Sequence, residues 1–330
     1  MKREESIAKQ LLKVDTPIYI IGHLNSDYDS ICSSLCLAHA LNKMGKKAKV
    51  YFTKEAFVLL NRINIGKLKD VIETDTNIQN PYSAILVDMN TTARAGVYEH
   101  LFLNANTKIN IDHHDNNNIV ANFKFVDEKA GANCENVYKI IKEFEKIKNI
   151  KITNNKISNL LALGIITDTS DIVKSSNLAQ TQQIVNELKE YGVNFEKLAK
   201  KYYYSLTPFQ KELYKIVVKS KKTEDFITMF YVDTRKLKEE FIHHDFVFVL
   251  TELMKHNENT ITIFEQEYDG FSIWEFRSED VKNYPVNEIA VMLGGGGHKN
   301  ASGATIKNKT SQEVMETFLN YFKKEEELSQ

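Results

Sequence analysis

The chain alternates short apolar runs with stretches whose apolar residues recur at helical spacing. Segments 17–23 (PIYIIGH), 48–52 (AKVYF), 83–90 (SAILVDMN) and 107–115 (TKINIDHHD) carry apolar runs that end in polar residues, the pattern of buried strands. Between them Ile31, Leu35, Ala38 and Leu41 keep a helical period until Gly45 stops it, and 134–147 (CENVYKIIKEFEKI) and 157–167 (ISNLLALGIIT) predict further helices. Strands alternating with helices predict a mostly parallel sheet covered on both faces, with polar residues just past the strand ends gathered at one edge where ligands bind. From about 180 to 220 the pattern turns helical and charged, without the Gly, Pro or Ser richness of a flexible tether. Strand-like runs return at 226–232, 260–267 and 271–277, and the chain closes on GGGGHKNASGATI (294–306) and a helix. The expected architecture is α/β with two domains: a larger one over 1–190, a helical linker over 191–220 and a smaller α/β domain over 221–330.

Composition narrows the function classes. The 330 residues include 43 Lys+Arg against 44 Asp+Glu, a net charge of −1, with 42% hydrophobic and 26% charged residues. These values suit a soluble globular protein and exclude a disordered chain or a disulfide mini-scaffold. A protein that holds long nucleic acid carries a basic excess, absent here, so a nucleic-acid substrate is expected to be short. The N-terminus has no uninterrupted apolar h-region and no later stretch reaches the roughly 18 apolar residues of a membrane span, so we expect a cytoplasmic protein with no membrane partner. Three cysteines cannot all pair, and Cys32 and Cys36 lie on a predicted helix, where they read as core rather than as ligands.

Candidate chemistry sits where the strand pattern ends. Gly22-His23-Leu24-Asn25-Ser26-Asp27-Tyr28-Asp29-Ser30 occupies a strand-to-helix turn, so His23, Asp27 and Asp29 can face metal ions from a rigid base, although Asp29 or Ser30 can equally be a helix N-cap. Asp88 follows Ala84–Val87, Asp112-His113-His114 ends another strand in a chain with only nine His, and Asp168 ends the apolar stretch of GIITDT. Imidazole with carboxylate suits Mn²⁺, Zn²⁺ or Fe²⁺, whereas all-oxygen sites suit Mg²⁺ or Ca²⁺. Two ions about 3.5–4 Å apart are a known solution for phosphoester hydrolysis, and no serine or cysteine sits in a nucleophile elbow. The glycine run Gly294, Gly295, Gly296 and Gly297 lets backbone N–H groups approach an anion closely, and Arg277 and His298 can clasp a second phosphate. Arg94 and Lys174 are weaker candidates for phosphate contact, and His243-His244-Asp245 is read as a surface imitation of the catalytic motif.

In their order GHLNSDYDS, VDMN, DHH and ITDTSD, these motifs resemble the DHH phosphoesterase superfamily, and the segments FRS (276–278) and GGGGHKNASG (294–303) resemble its associated C-terminal domain. Within it the chain resembles the NrnA-type oligoribonuclease/nucleotide phosphatases. The resemblance implies two divalent ions, with Mn²⁺ preferred: His23, Asp27 and Asp88 on one, and Asp29, Asp88, His113 and Asp168 on the other, Asp88 bridging. It further implies that Asp112 orients a histidine and that His114 faces the phosphate. The chain departs from the pattern at Ser26, where Pro is usual, at Tyr28, where a small residue is usual, and at Met89. The implied activity is hydrolysis of short RNA oligonucleotides and linear dinucleotides such as pApA and pGpG, with 3′-phosphoadenosine 5′-phosphate as a further substrate and a homodimer compatible with the reading. Alternatives are a cyclic dinucleotide phosphodiesterase, an exopolyphosphatase-like enzyme or, outside catalysis, a nucleotide-binding regulator.

Overall fold

A computed structural model describes residues 2–14, 17–75, 78–237, 243–255, 257, 259–307 and 309–328, the side chains of 243–244 and 325–328 excepted. The chain splits into two compact units, Met1–Ser205 and Leu206–Gln330.

The first unit contains strands β1 (Ile18–Ile21), β2 (Ala48–Tyr51), β3 (Ile72–Glu73), β4 (Ser83–Val87), β5 (Thr107–Asp112) and β6 (Phe123–Val126). Its helices are α1 (Arg3–Leu11), α2 (Tyr28–Lys43), α3 (Ala56–Leu60), α4 (Glu99–Leu103), α5 (Asn133–Lys148), α6 (Asn155–Asp168), α7 (Leu178–Glu190) and α8 (Phe195–Tyr202). The strands form one sheet in the order β3-β2-β1-β4-β5-β6, and every pairing is parallel. The expected mostly parallel sheet is thus wholly so. β1 and β4 are buried at every position, as strands covered on both faces must be, which is why they read as unbroken apolar runs. One face, with Tyr19, Ile21, Tyr51, Ala84 and Leu86, packs under Leu101 and Phe102 of α4. α2 packs against α5 and α6, and even its Ser33 and Ser34 are buried. All three cysteines are free and buried.

The second unit contains α9 (Pro208–Val217), β7 (Lys222–Glu224), β8 (Ile227–Asp233), α10 (His243–Met254), β9 (Ile261–Tyr268), β10 (Phe271–Ser278), α11 (Asn287–Met292), β11 (Gly296–His298), β12 (Ala301–Ile306) and α12 (Ser311–Leu328). Its sheet runs β11-β12-β10-β9-β8-β7 and is mixed, β8 and β9 being the parallel pair. Trp274, Phe276 and Phe318 anchor one hydrophobic layer, while Phe230, Phe246 and Phe264 anchor a second with Leu213 and Val217 of α9. The helical stretch 191–220 is shared between the units: α8 packs on α6 in the first and α9 on α10 in the second.

Candidate active site

The parallel sheet brings the C-terminal ends of β1, β4 and β5 side by side, and the polar residues just past them converge with the last residue of α6. His23 follows β1 and is buried, and Asp27 caps α2, accepting from the Ser30 N–H at 3.0 Å. The N-cap in this motif is therefore Asp27, while Asp29 lies in the first turn, buried, with its two oxygens on the N–H groups of Asn133 (2.6 Å) and Cys134 (2.8 Å) at the start of α5. Asp88 follows β4 with φ +63°, a left-handed backbone that is costly for a side-chain-bearing residue and is found where the surroundings over-determine it. The Asp88 N–H donates to Ile111 O at 3.0 Å, which ties that conformation to β5.

Asp88 stands at the middle of the cluster. One oxygen lies 3.5 Å from His23 Nε2, the other 3.3 Å from His113 Nε2 and 3.7 Å from His114 Nδ1. His113 Nε2 is also 3.5 Å from Asp168 and 3.9 Å from Asp29, and His23 Nε2 is 3.9 Å from Asp27. Three donor groups result, each within 4.8 Å: His23–Asp27–Asp88, Asp29–His113–Asp168 and Asp88–His113–His114. The other ring nitrogens are occupied from behind, His23 Nδ1 by Leu24 O at 2.8 Å and His113 Nδ1 by Ala130 O at 3.2 Å. A ring that donates from Nδ1 to a carbonyl offers the lone pair of Nε2 to a cation.

The donor set fits a pair of divalent ions. His23 Nε2 and Asp88 Oδ1 are buried without a hydrogen-bond partner, a costly state for polar atoms unless something else completes them. Electrostatics agrees. Burial raises Asp29 to about 7, helped by Asp88, and burial raises Asp168, helped by Asp29, although its side chain is 30% exposed. Burial works against the His113 cation, yet Asp88, Asp168 and Asp29 lift it to about 11, and burial of Asp88 is outweighed by His113 and His23, which hold it far below the usual carboxylate range. Protons held by such groups are displaced when metal binds.

Asp112 is fully buried at the end of β5. It accepts from His114 Nδ1 at 2.8 Å on one oxygen and from Asn117 Nδ2 at 2.7 Å on the other. His114 Nε2 then faces Arg94 Nη1 at 3.3 Å. Sequence reasoning missed Asn117, which also reaches Asn110 Oδ1 at 2.7 Å; it sits in an Asn-rich stretch with nothing to single it out. The three departures are accommodated locally. The buried Ser26 donates to His23 O, Tyr28 packs edge-on against Tyr202 at 5.6 Å, and Met89 fills the core. Lys174 is exposed on the loop after α6.

In the second unit, Gly294–Gly297 and Arg277 line a cavity of about 500 Å³ with Glu275 and Gly303. Arg277 bonds Glu275 Oε2 at 2.6 Å and Phe276 O at 3.0 Å, while His298 is exposed on β11 and does not line the cavity. Asp245, read from the sequence as surface, is instead buried in α10, whose Phe246, Val249, Leu250 and Leu253 pack into the second hydrophobic layer; the side chains of His243 and His244 lie outside the described residues.

Residues 17–165 match the family model described as DHH family, N-terminal domain, and 243–327 match the DHHA1 domain. The chain is 25% identical over 324 residues to the bifunctional oligoribonuclease and PAP phosphatase NrnA of Thermus thermophilus, spanning 97% of this chain and 93% of that protein. Among solved structures it resembles an exopolyphosphatase-related protein from Bacteroides fragilis (TM-score 0.79, 20% identity, 99% and 98% of the two chains). It also resembles RecJ from Thermus thermophilus in complex with Mn²⁺ (TM-score 0.57, 12% identity, 97% and 54%). No helix among the described residues is long and apolar enough to cross a membrane.

Proposed function

Because the chain belongs to the DHH family and is a phosphoesterase, we propose that it hydrolyses very short RNA oligonucleotides, linear dinucleotides and 3′-phosphoadenosine 5′-phosphate with two divalent ions, Mn²⁺ preferred. The observation that carries the reading is that His23 Nε2 and Asp88 Oδ1, buried and without a hydrogen bond, lie at the centre of a mixed imidazole and carboxylate cluster. His23, Asp27 and Asp88 would hold one ion, and Asp29, Asp88, His113 and Asp168 the other. When bound, the pair supplies Lewis acidity to the phosphoryl oxygens and makes water acidic enough to attack at neutral pH. The four carboxylates match the charge of two divalent cations.

The remaining groups handle the phosphate. Asp112 and Asn117 fix the His114 ring so that Nδ1 carries the proton toward Asp112 and Nε2 faces Arg94. Arg94 is then placed to exchange that nitrogen for a phosphoryl oxygen, and His114 to contact the same phosphate. In the second unit, Gly294–Gly297 offer backbone N–H groups and Arg277 a guanidinium to a further phosphate, in competition with Glu275.

One assay tests the proposal. Protein stripped with EDTA is resupplied with Mn²⁺ and given pApA, pGpG, 3′-phosphoadenosine 5′-phosphate, a cyclic dinucleotide, pyrophosphate and an RNA of about 24 nucleotides, a length that a near-neutral protein gains little from binding. Turnover of the linear dinucleotides, restored by Mn²⁺ and falling steeply with length, is expected. Undiminished turnover in EDTA, or preference for the long RNA, would overturn it.

A further inference from the structure

Resting on the metal centre proposed above, we infer that Glu135 is a positioning residue: its buried side chain clamps the two loops that set His113 against Asp168, so that it tunes one of the two metal positions and leaves the other alone. Glu135 lies in the first turn of α5 and is fully buried. Its Oε1 accepts from the Gly131 N–H at 3.2 Å and from the Thr181 hydroxyl, and its Oε2 accepts from Gln180 Nε2 at 2.9 Å. One carboxyl group thereby joins the loop before α5 to the start of α7.

Both ends of this clamp lead to the metal centre. Gly131 follows Ala130, whose carbonyl accepts from His113 Nδ1. On the other side the Thr181 hydroxyl meets Ser175 Oγ at 2.6 Å, and Ser175 belongs to the loop that leaves Asp168. The two loops touch directly: a Cβ added at Gly131 would lie 2.7 Å from Ser175 Oγ and 2.8 Å from Thr169 Cγ2, so a glycine is needed there for the approach. The same helical turn holds the third member of the group, since Asn133 and Cys134 donate their N–H groups to Asp29.

In Asp29–His113–Asp168, residues 130–134 back Asp29 and His113, and the loop that follows Asp168 meets Gly131 and Thr181 through Thr169 and Ser175. The group His23–Asp27–Asp88 is backed elsewhere, by Leu24 O, by the Ser30 N–H and by Ile111 O. This asymmetry gives the inference its content. Loss of Glu135 should loosen the separation of His113 and Asp168, now 3.5 Å, while His23, Asp27 and their supports stay in place. The role is that of an acceptor with fixed geometry. Gln at the same position keeps one oxygen for Gly131 and Thr181, and the Gln180 amide can turn to present its oxygen to the new NH₂.

Mn²⁺ titration of EDTA-stripped full-length protein by calorimetry, which needs no substrate, provides the test. Wild type should show two binding events. Glu135→Ala should weaken one of them by about 10–100-fold, the usual cost of removing a group that orients a ligand, and leave the other within about twofold. Glu135→Gln should restore both to within about threefold. Thr181→Val, which removes the hydroxyl at constant shape, should weaken the same event as Glu135→Ala and serves if the alanine variant fails to fold. Two unchanged events in Glu135→Ala or Thr181→Val, or equal weakening of both, would overturn the clamp while leaving the two-metal reading intact. Absence of Mn²⁺ binding in wild type would overturn that reading and the clamp with it.

Discussion

The glycine run of the second unit mixes two demands, and a pair of alanine substitutions separates them. At Gly295 a Cβ would stand 2.0 Å from Gly303 O and 2.7 Å from Ala304 Cα, both backbone atoms of β12 that cannot turn aside. Contact between carbon and oxygen begins near about 3.3 Å, so Gly295→Ala must push β11 off its partner, at a cost of about 3 kcal/mol or more, the upper end of overpacking. At Gly296 a Cβ meets nothing within 4 Å, so folding makes no demand for glycine there. Gly296→Ala should leave stability unchanged or raise it by about 0.4–1 kcal/mol through the unfolded chain. Yet Gly296 lines the cavity of about 500 Å³ with Arg277. If a phosphate lies against its backbone, the added methyl holds the anion away and removes a charge-assisted hydrogen bond of about 1.5–3 kcal/mol, which is about 10–150-fold in KM at about 1.4 kcal/mol per decade. Thermal melts of the full chain should show Gly295→Ala lower by at least about 5 °C and Gly296→Ala level with wild type. Steady-state kinetics on pApA should show the reverse order in KM among folded variants. Unaltered KM in Gly296→Ala would remove the phosphate from this cavity, and a melting loss there as large as in Gly295→Ala would refute the reading of the backbone.

Two further outcomes follow from hydrogen bonds around the first unit. Asn117→Ala frees one oxygen of Asp112 and should lower kcat about 10-fold by loosening His114, with both Mn²⁺ affinities unchanged in calorimetry; a loss confined to Mn²⁺ affinity would place Asn117 in another role. Glu145 is pushed up by burial but brought below the usual range by Lys142 and the N–H groups of Thr153 and Ile152. A depressed folded value means stability present above the unfolded value, about 4.3, and lost as pH falls through the folded one. The stability difference between wild type and Glu145→Gln should therefore shrink from about pH 5 to pH 3 in urea titrations, and a constant difference would show that the ionised carboxylate contributes nothing.

The strand and helix pattern was legible because buried parallel strands leave no polar face: Ile18–Ile21 and Ser83–Val87 are covered on both sides and so announce themselves as runs. His23, Asp88 and His113 were legible for a related reason, since each ends or follows such a strand and polar residues there are conspicuous, while Asp29 stood out in the turn that carries β1 into α2. Asn117 and Glu135 were not. Glu135 acts through Thr181, 46 residues away, and Asn117 through Asn110 and Asp112 across a turn in a run of three asparagines, so neither role shows in the local sequence pattern until the packing is known. The glycine run stood out in the sequence, but the split between Gly295, pressed against β12, and Gly296, open to the cavity, did not, because both positions carry the same residue. Asp245 was misplaced because the HHD segment lies outside the matched motifs and reads as surface, whereas Asp245 is buried beside Phe246 in α10.

The order β3-β2-β1-β4-β5-β6 puts the ligand-bearing strands β1, β4 and β5 next to one another in space though long stretches of chain separate them. On the ribosome, β1 emerges early and waits, and no pair of ligands from different strands exists until β4 has docked beside it. Asp168 arrives last, at the end of α6, after the whole sheet has been made. Until about half of the chain has been made, the aspartates and histidines of the cluster are therefore incomplete, and the full group forms only when parallel pairing across distant segments is finished. If the cluster holds metal as proposed, metal capture would report on assembly: a tightly held ion would require β1, β4, β5 and α6 all in place, and a truncated product lacking α6 would bind it weakly.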